Sequence, residues 1–232
     1  MGLFTTSPQK DFPKFWTQYL AAFALEKSKA GFLGSTLDGK KLHTTRFVVF
    51  DTETTGLHYK EDRILSIGAV TVINNEISIA QSLELYLKQD IYKPESAKIH
   101  GILRNGSYEQ VNEQEAIERC LEFIGTDILI GHHIGFDVAV INAALKRAQL
   151  GKLKNRVLDT ETLYKRLVHP INRPLQEKRY TLDELAEALK IPLHDRHTSA
   201  GDAFITAIAF IKIVKRLNSD GTLTVKQLFR KN

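Results

Sequence analysis

The stretch RFVVFDTETTGL, residues 46–57, carries the pattern that decides the fold. After Arg46 it has four apolar residues in a row, which is typical of a strand covered on both faces of a sheet. It then presents two carboxylates, Asp51 and Glu53, separated by one residue. Because side chains alternate across a strand, both carboxylates point to the same side. The pattern therefore predicts two acidic groups together at the end of a buried strand.

Two ionised carboxylates a few ångströms apart repel each other, and burial strengthens the repulsion. A fold keeps such a pair if one member is protonated or if a cation lies between them. The simpler alternative is a solvated strand end, and the pair alone leaves these interpretations open. The turn that follows, Thr54-Thr55-Gly56, favours a functional interpretation. Its hydroxyls and free backbone amides suit a phosphate that lies against a metal ion.

Further acids are predicted at the same level of the sheet. Asp137 lies in GHHIGFDVAV, after the apolar strand DILIG and at the start of a helix. Asp202 lies in the first turn of a strongly apolar helix, five residues after His197. Each has an ordinary alternative: a helix cap for Asp137, dipole compensation for Asp202 and a surface position for His197. Four acids and a histidine at element ends in one domain favour a shared site.

Composition limits the classes of protein to consider. The chain has 232 residues, of which 43% are hydrophobic and 25% charged, and a formal net charge of +5. It is long enough for a proper core, and its charge permits a polyanionic partner without requiring one. The single cysteine excludes an internal disulfide and suits a reducing cytosol. We expect a cytoplasmic protein with no membrane contact, because no apolar run approaches the ~18 residues of a membrane span.

The order of predicted elements indicates an α/β fold with a mixed five-stranded sheet flanked by helices. An antiparallel meander of three strands is predicted first, at residues 46–52, 63–73 and 76–87. Two further strands are predicted at residues 127–131 and 156–159. Helical patterns occur at residues 113–124, 138–149, 160–167, 181–189 and 198–217.

Residues 1–45 differ from the rest and are assigned to an N-terminal helical extension and connector, ahead of a domain at residues 46–232. The extension carries apolar residues at spacings of three and four, here called the aromatic stripe: Phe12, Phe15, Trp16, Tyr19, Leu20 and Phe23. Two interpretations stay open. The stripe either packs on the main domain as core or docks a partner protein.

Three segments resemble the motifs of a known family. They are FDTETTGL at residues 50–57, GHHIGFD at residues 131–137 and HTSAGDA at residues 197–203. In this order they resemble the DEDDh 3′-to-5′ exonucleases, which include the proofreading epsilon subunit of bacterial DNA polymerase III. The four-residue gap between His197 and Asp202 is similar to the histidine subtype, since the tyrosine subtype has a three-residue gap. The resemblance implies a ribonuclease H-like fold and an exonuclease domain at residues 46–232.

The resemblance also implies a two-metal hydrolysis of phosphodiesters. Asp51, Glu53, Asp137 and Asp202 would hold two Mg²⁺ or Mn²⁺ ions, the hard cations that oxygen ligands select. The ions would bind the scissile phosphate, activate a water molecule as the nucleophile and stabilise the leaving oxygen. His197 would act as general base, because histidine side chains titrate near neutral pH. The product would be a nucleoside 5′-monophosphate from a free 3′ end.

Contacts to the terminal nucleotide follow from the same resemblance. They are Thr54, Thr55 and Gly56 facing the nucleotide, Leu57 against its base, Phe136 as a pocket wall and His100 at the 3′-terminal sugar. For His100 the alternative is a capping or core histidine. His133 stands where the family often has Asn, so it either keeps the hydrogen bond of that Asn or alters the pocket. Neither His132 nor His133 is assigned to the metal, because the acid-dominated set argues against a zinc site.

The expected function is a metal-dependent 3′-to-5′ exonuclease with DNA favoured over RNA, because the DTETTG turn looks more like the DNA-proofreading branch. One alternative is a 3′-to-5′ exoribonuclease, since discrimination between DNA and RNA depends on how the protein contacts the 2′-hydroxyl. Another is a non-catalytic nucleic-acid-binding protein of the same fold. That alternative predicts the loss of an acid or of the histidine, and all five are present. The sequence leaves open the oligomeric state and whether a polymerase partner exists.

Overall fold

A six-stranded mixed sheet forms the centre of the part of the chain that the structure, a computed structural model, describes: residues 11–31, 35–91, 93–103, 108–168 and 178–230. Residues 1–10 and 32–34 of the predicted extension lie outside this part. The strand order is β4-β3-β2-β1-β5-β6. The strands are β1 (Phe47–Thr54), β2 (Ile64–Ile73), β3 (Glu76–Leu87), β4 (Gln110–Val111), β5 (Ile128–Gly131) and β6 (Val157–Asp159).

The pairing confirms the predicted meander but corrects the number of strands. β1 pairs antiparallel with β2, and β2 pairs antiparallel with β3. β1 also pairs parallel with β5, which pairs parallel with β6. The prediction of five strands missed β4, which adds to the edge of β3 through the pairs Tyr86 with Gln110 and Leu87 with Val111. Two residues are too few to show a period-two pattern.

Helices cover both faces of the sheet. They are α1 (Lys14–Ala30), α2 (Pro94–His100), α3 (Glu113–Ile124), α4 (Gly135–Arg147), α5 (Thr160–Val168), α6 (Leu182–Leu189), α7 (Ser199–Leu217) and α8 (Val225–Leu228). A 3₁₀ turn spans Leu42–Thr44. α4 begins three residues before its predicted start, so Asp137 lies inside its first turn. α2 was not predicted, although Pro94 at its start and the left-handed Gly101 at its end are ordinary helix boundaries.

The apolar run of β1 faces two separate cores. Phe47 and Val49 belong to a core shared with α5, α6, α7 and α8. Val48 and Phe50 belong to a second core shared with α1, α3 and α4. Because side chains alternate along the strand, Asp51 continues the side of β1 that faces α7. This alternation decides which helix meets the acidic pair.

The aromatic stripe of α1 is part of the second core. Phe15, Trp16 and Tyr19 are buried there, and Trp16 is 2% exposed. The Tyr19 hydroxyl donates to Asn155 Oδ1 at 2.6 Å and accepts from the backbone N–H of Lys154 at 2.8 Å. The stripe therefore packs on the main domain, and its three most buried members are not a docking surface. The division of the chain at residue 45 stays a prediction.

In the part of the chain that the structure describes, no helix combines the length and the apolar character that crossing a bilayer needs.

Candidate active site

The end of β1 positions the first two acids. Asp51 pairs with Gly68 of β2, and Glu53 pairs with Ser66. Oxygen atoms of Asp51, Glu53 and Asp202 lie within 4.8 Å of one another. The alternation of β1 thus brings its two carboxylates together, as the sequence predicts, and α7 adds a third. We call these three residues the acidic cluster.

The third acid reaches the cluster because α7 begins directly against the sheet. A Cβ atom on Gly68 would lie 2.2 Å from the carbonyl carbon of Ser199, so a glycine is required for this approach. Thr198 caps the helix, its hydroxyl accepting from the Gly201 N–H at 3.0 Å. Asp202 is therefore carried to the acidic cluster by backbone packing as well as by the four-residue gap after His197.

Asp137 approaches β1 from the other face of the sheet. Its Oδ1 accepts from the Thr52 N–H at 3.0 Å and from the Thr52 hydroxyl at 2.7 Å, and its side chain is buried. The turn before α4 is held by Asp159, whose Oδ2 accepts from the Ile134 N–H at 3.0 Å. Asp137 lies outside the acidic cluster as defined, but its charge raises the pKa of Asp51. The fourth predicted acid is therefore an electrostatic neighbour of Asp51 and Glu53.

Burial and mutual repulsion keep the pKa values of these carboxyls high. Burial raises the pKa of Asp51 well above its usual range, and the charges of Asp137, Asp202 and Glu53 raise it further. Burial and the charge of Asp202 raise the pKa of Glu53 to about 8. Burial also raises the pKa of Asp137 to about 7, although the bonds from Thr52 oppose the shift. Such a group of acids favours either protons or a bound cation.

The acidic cluster fits a divalent cation. Asp202 Oδ1 is buried and has no hydrogen-bond partner among the described residues. An orphaned buried carboxylate oxygen is costly unless a ligand completes it. Three carboxylates within 4.8 Å offer oxygen ligands alone, which suit Mg²⁺ or Mn²⁺ better than zinc.

Arg196 is a component of the site that the sequence interpretation missed. Its guanidinium pairs with Asp202 Oδ2 and, through Nε, with Asp183 Oδ1 at 2.5 Å. Burial raises the pKa of Asp202, and the Arg196 charge and hydrogen bond oppose that rise. The only signal in the sequence is a basic residue directly before His197.

His197 adjoins the acidic cluster and is open to solvent. Its backbone has a left-handed φ of 63°, and its side chain is exposed. The backbone and the charge of His197 both lower the pKa of Asp202, although burial outweighs them. The predicted general base therefore neighbours a carboxylate of the cluster.

The turn at residues 54–58 is more internally bonded than expected. The Thr54 hydroxyl donates to the Gly56 carbonyl at 2.7 Å, and the Thr55 hydroxyl donates to Asp62 Oδ1 at 2.7 Å. The Thr55 N–H donates to the Arg63 carbonyl at 2.9 Å. The hydroxyls of Thr54 and Thr55 and the Thr55 N–H are thus bonded within the protein, and the contacts of Thr54, Thr55 and Gly56 with a nucleotide stay predictions. Leu57 is 82% exposed, as a residue that wedges against a base would need to be.

His100 is buried, and burial lowers its pKa. Its Nδ1 accepts from the Ile102 N–H at 3.0 Å, as the capping alternative predicts. Its Nε2 is buried without a hydrogen-bond partner in the described part of the chain. Phe136 packs half-buried against the second core. The structure brings neither residue into the acidic cluster, so their contacts with a nucleotide stay predictions.

The two histidines before α4 are held away from the acidic cluster. His132 Nδ1 lies 3.0 Å from the Thr160 hydroxyl, and its Nε2 lies 2.8 Å from the Tyr180 carbonyl. His133 Nε2 lies 3.3 Å from Glu161 Oε2. Both ring nitrogens of His132 thus have a hydrogen-bond partner, whereas His133 Nε2 is buried without one among the described residues. The omission of the two histidines from the metal ligands stays a prediction.

Known proteins resemble this chain over the same region. The model of the exonuclease family matches residues 48–210. The PolC-type DNA polymerase III of Caldanaerobacter subterraneus subsp. tengcongensis is 34% identical over 185 residues, which are 78% of this chain and 12% of that protein. The DNA polymerase III epsilon subunit of Treponema pallidum is 30% identical over 168 residues, which are 72% of this chain and 76% of that protein. The chain thus spans about an eighth of the PolC-type relatives' length and about three quarters of the epsilon subunit.

Solved structures share the fold. E. coli Exonuclease I in complex with a dT13 oligonucleotide superposes with a TM-score of 0.63 at 20% identity, covering 76% of this chain and 42% of that one. Exonuclease X in complex with 5′ overhanging duplex DNA superposes with a TM-score of 0.58 at 23% identity, covering 78% and 96%. These likenesses establish the ribonuclease H-like fold.

Proposed function

The chain belongs to the exonuclease family, and from that premise we propose that it is a 3′-to-5′ exonuclease that releases nucleoside 5′-monophosphates from DNA ends. The observation that carries this proposal is the acidic cluster. Three carboxylates converge within 4.8 Å, and one buried oxygen of Asp202 has no partner among the described residues. A non-catalytic role would not explain why the fold keeps so costly an arrangement.

Asp51, Glu53 and Asp202, with Asp137 beside them, would hold two Mg²⁺ or Mn²⁺ ions. When bound, such ions supply positive charge and Lewis acidity at a phosphodiester. Asp137 keeps one oxygen on Thr52, which fixes the orientation of its carboxylate toward β1. His197 is proposed to accept a proton from the attacking water at an imidazole nitrogen, because it is exposed beside Asp202.

DNA is proposed as the substrate in preference to RNA. The support is that the relatives are a PolC-type DNA polymerase III and a DNA polymerase III epsilon subunit, and that the two structural neighbours hold DNA. RNA remains the second candidate, since nothing in the acidic cluster reads the 2′-hydroxyl. A polymerase partner is proposed on the same similarity to polymerase subunits, and a cytoplasmic location on the single, buried cysteine.

The experiment that tests this function uses single-stranded DNA and RNA of one sequence, each labelled at the 5′ end. We expect Mn²⁺ to produce a ladder that shortens from the 3′ end, EDTA to abolish it and DNA to be cut faster. Asp202→Asn should abolish cleavage, because it removes an anionic ligand from the acidic cluster. Asp220→Asn, in an exposed turn, is the matched control and should cleave normally. Unchanged turnover in Asp202→Asn would overturn the metal assignment.

A further inference from the structure

A buried carboxylate outside the acidic cluster organises the turn that follows it. Asp62 is 1% exposed, and its Oδ1 accepts from the Thr55 hydroxyl at 2.7 Å. Its Oδ2 accepts from the His58 N–H at 2.8 Å. The carboxylate thus binds both ends of residues 55–58, the segment that contains Leu57. We call residues 54–58 the substrate turn.

The same carboxylate connects the substrate turn to a second element. Lys93 Nζ donates to Asp62 Oδ1 at 2.5 Å, and Lys93 is the residue directly before α2. Gln89 Nε2 donates to the Ile64 carbonyl at 2.8 Å, so the chain leading to Lys93 is also tied to the start of β2. α2 ends at His100, whose Nε2 is buried without a partner among the described residues. Asp62 therefore joins two segments that both carry predicted nucleotide contacts.

The packing around Asp62 leaves little room for another conformation of the turn. A Cβ on Gly56 would lie 2.7 Å from Asp62 Oδ2, so the backbone of the turn rests on the carboxylate. Burial by itself would raise the pKa of Asp62, but the hydrogen bonds from Lys93, Thr55 and His58 outweigh it and hold the pKa below its usual range. A buried, ionised and fully bonded carboxylate is a strong local constraint.

We propose that Asp62 is a positioning residue for the substrate: it sets the backbone of the substrate turn, and through Lys93 it fixes that turn relative to α2. This inference rests on the proposed function for the identity of the substrate, a single-stranded 3′ end. Asp62 contacts neither the acidic cluster nor, in this assignment, the reacting atoms. Its removal should therefore weaken the binding of the nucleic acid and leave the metal ligands in place.

The ion pair of Asp62 and Lys93 connects a buried side chain to a partly exposed one. The Lys93 side chain is 43% exposed whereas the Asp62 side chain is 0% exposed, so the pair reaches from the buried base of the turn to the surface. Without Asp62, the Thr55 hydroxyl and the His58 N–H lose their acceptor, so the backbone on both sides of the exposed Leu57 loses its bonds to the carboxylate. Without Lys93, Asp62 keeps these two donors, so a smaller effect is expected.

The test compares Asp62→Asn, Lys93→Met and the double variant with the wild-type chain. Asparagine keeps the size of the side chain but loses its charge and one of its two acceptor oxygens. We expect KM for a 5′-labelled single-stranded DNA to rise about ten- to hundredfold in Asp62→Asn, with kcat nearly unchanged. Lys93→Met should show a smaller rise in KM, and the double variant should be no worse than Asp62→Asn, because the two residues act through one link.

Three further measurements separate positioning from general damage. Mn²⁺ affinity, measured by calorimetry, should not change in Asp62→Asn. Glu61→Ala removes an exposed carboxylate from the same loop and should match the wild type. Fluorescence anisotropy in EDTA should show the same loss of DNA affinity without any turnover.

The outcomes distinguish this inference from the proposed function. If both single variants cleave DNA with the KM of the wild-type chain, the role of Asp62 is overturned and the proposed function stands. A parallel loss of Mn²⁺ affinity would assign Asp62 to general folding of the site and overturn it as well. If the wild-type chain binds DNA without cleaving it, the proposed function fails, and the anisotropy of Asp62→Asn still decides the inference. A wild-type chain that neither binds nor cleaves DNA overturns both.

Discussion

Gly68 in the middle of β2 lies directly beneath Ser199, the first residue of α7. The missing side chain of Gly68 allows the two backbones to approach so closely that a Cβ would lie 2.2 Å from the Ser199 carbonyl carbon. Gly68 is also the strand partner of Asp51. One close contact between a strand and a helix thus sets the distance between Asp51 and Asp202, three residues into α7.

Gly68→Ala should displace the start of α7 and separate the acidic cluster. We expect the free energy of unfolding to fall by about 3 kcal/mol or more, because the added methyl group meets backbone atoms that cannot rotate away. Cleavage of single-stranded DNA should fall at least a hundredfold, since misplacement of about 1 Å has that effect. The measurements are urea unfolding and the rate of cleavage.

Gly135→Ala is the matched control for that substitution. A Cβ at Gly135 would meet nothing within 4 Å, and the residue lies at the start of α4. Its free energy of unfolding should stay equal or rise by up to about 1 kcal/mol. A Gly68→Ala protein as stable and active as this control would show that the contact does not position Asp202.

The metal-free protein should lose stability as pH rises. Glu53 has its pKa raised from 4.5 to about 8 in the folded state. A raised pKa means that the folded state holds a proton that the unfolded state has released, so the stabilisation is complete below about pH 4.5 and is lost by about pH 8. Asp137, with its pKa raised to about 7, acts in the same direction.

Thermal unfolding in EDTA across this range measures the effect. The Tm should fall with rising pH, Mn²⁺ should remove most of the fall by replacing protons at the carboxylates, and Glu53→Gln should reduce the slope in EDTA. A Tm that is independent of pH in EDTA would contradict the raised pKa values.

Arg196→Gln should destabilise the metal-free protein. The guanidinium pairs with Asp202 Oδ2 while Asp202 Oδ1 has no partner in the described part of the chain, so its loss removes the ion pair of a buried carboxylate. We expect a loss of about 1.5–3 kcal/mol in the free energy of unfolding, the usual worth of a hydrogen bond to a charged group. The increase in Tm on adding Mn²⁺ should be larger in the variant than in the wild type.

Arg119→Gln provides the comparison, because Arg119 forms an exposed pair with Glu115 at 3.6 Å within one helix. Its loss should cost no more than about 0.5 kcal/mol. Equal stability of the Arg196 and Arg119 variants would indicate that the Arg196 pair contributes nothing to the folded site.

Trp16→Ala should destabilise the whole domain, because the side chain is 2% exposed and packs within the second core. The expected loss is about 3–5 kcal/mol, measured by urea unfolding. Leu25→Ala, on the same helix but 56% exposed, should change stability by less than about 0.5 kcal/mol.

Deletion of residues 1–45 should give an unstable or insoluble protein. A stable, active deletion product would restore the alternative in which the extension is a tether.

The sequence predicted the parts of the site that depend on local geometry. Strand alternation alone placed Asp51 and Glu53 on one side, and the structure brings them together. The positions of Asp137 and Asp202 in the first turns of α4 and α7 also agree with their patterns. The strand β4 was missed because two residues carry no period.

Other parts of the site depend on partners that are distant in the sequence. Asp62 pairs with Lys93, which is 31 residues away in the sequence, and no local pattern indicates that pair. Arg196 was visible as a basic residue, but only the packing of α6 against α7 showed that it joins Asp183 to Asp202. The Thr55 hydroxyl was expected to suit a phosphate, and only the tertiary structure shows that it donates to the buried carboxylate of Asp62.

The sequence by itself thus determined the order of five of the six strands and of the main helices, the side on which the first two acids lie and the family motifs that carry the chemistry. These features follow from short periods and from residue types at short separations. The tertiary structure decided how far apart the acids are, which of them share a cluster and which charged residues support them. Those quantities depend on close backbone approaches such as Gly68 to Ser199 and on ion pairs between separate elements, which short-range patterns do not encode.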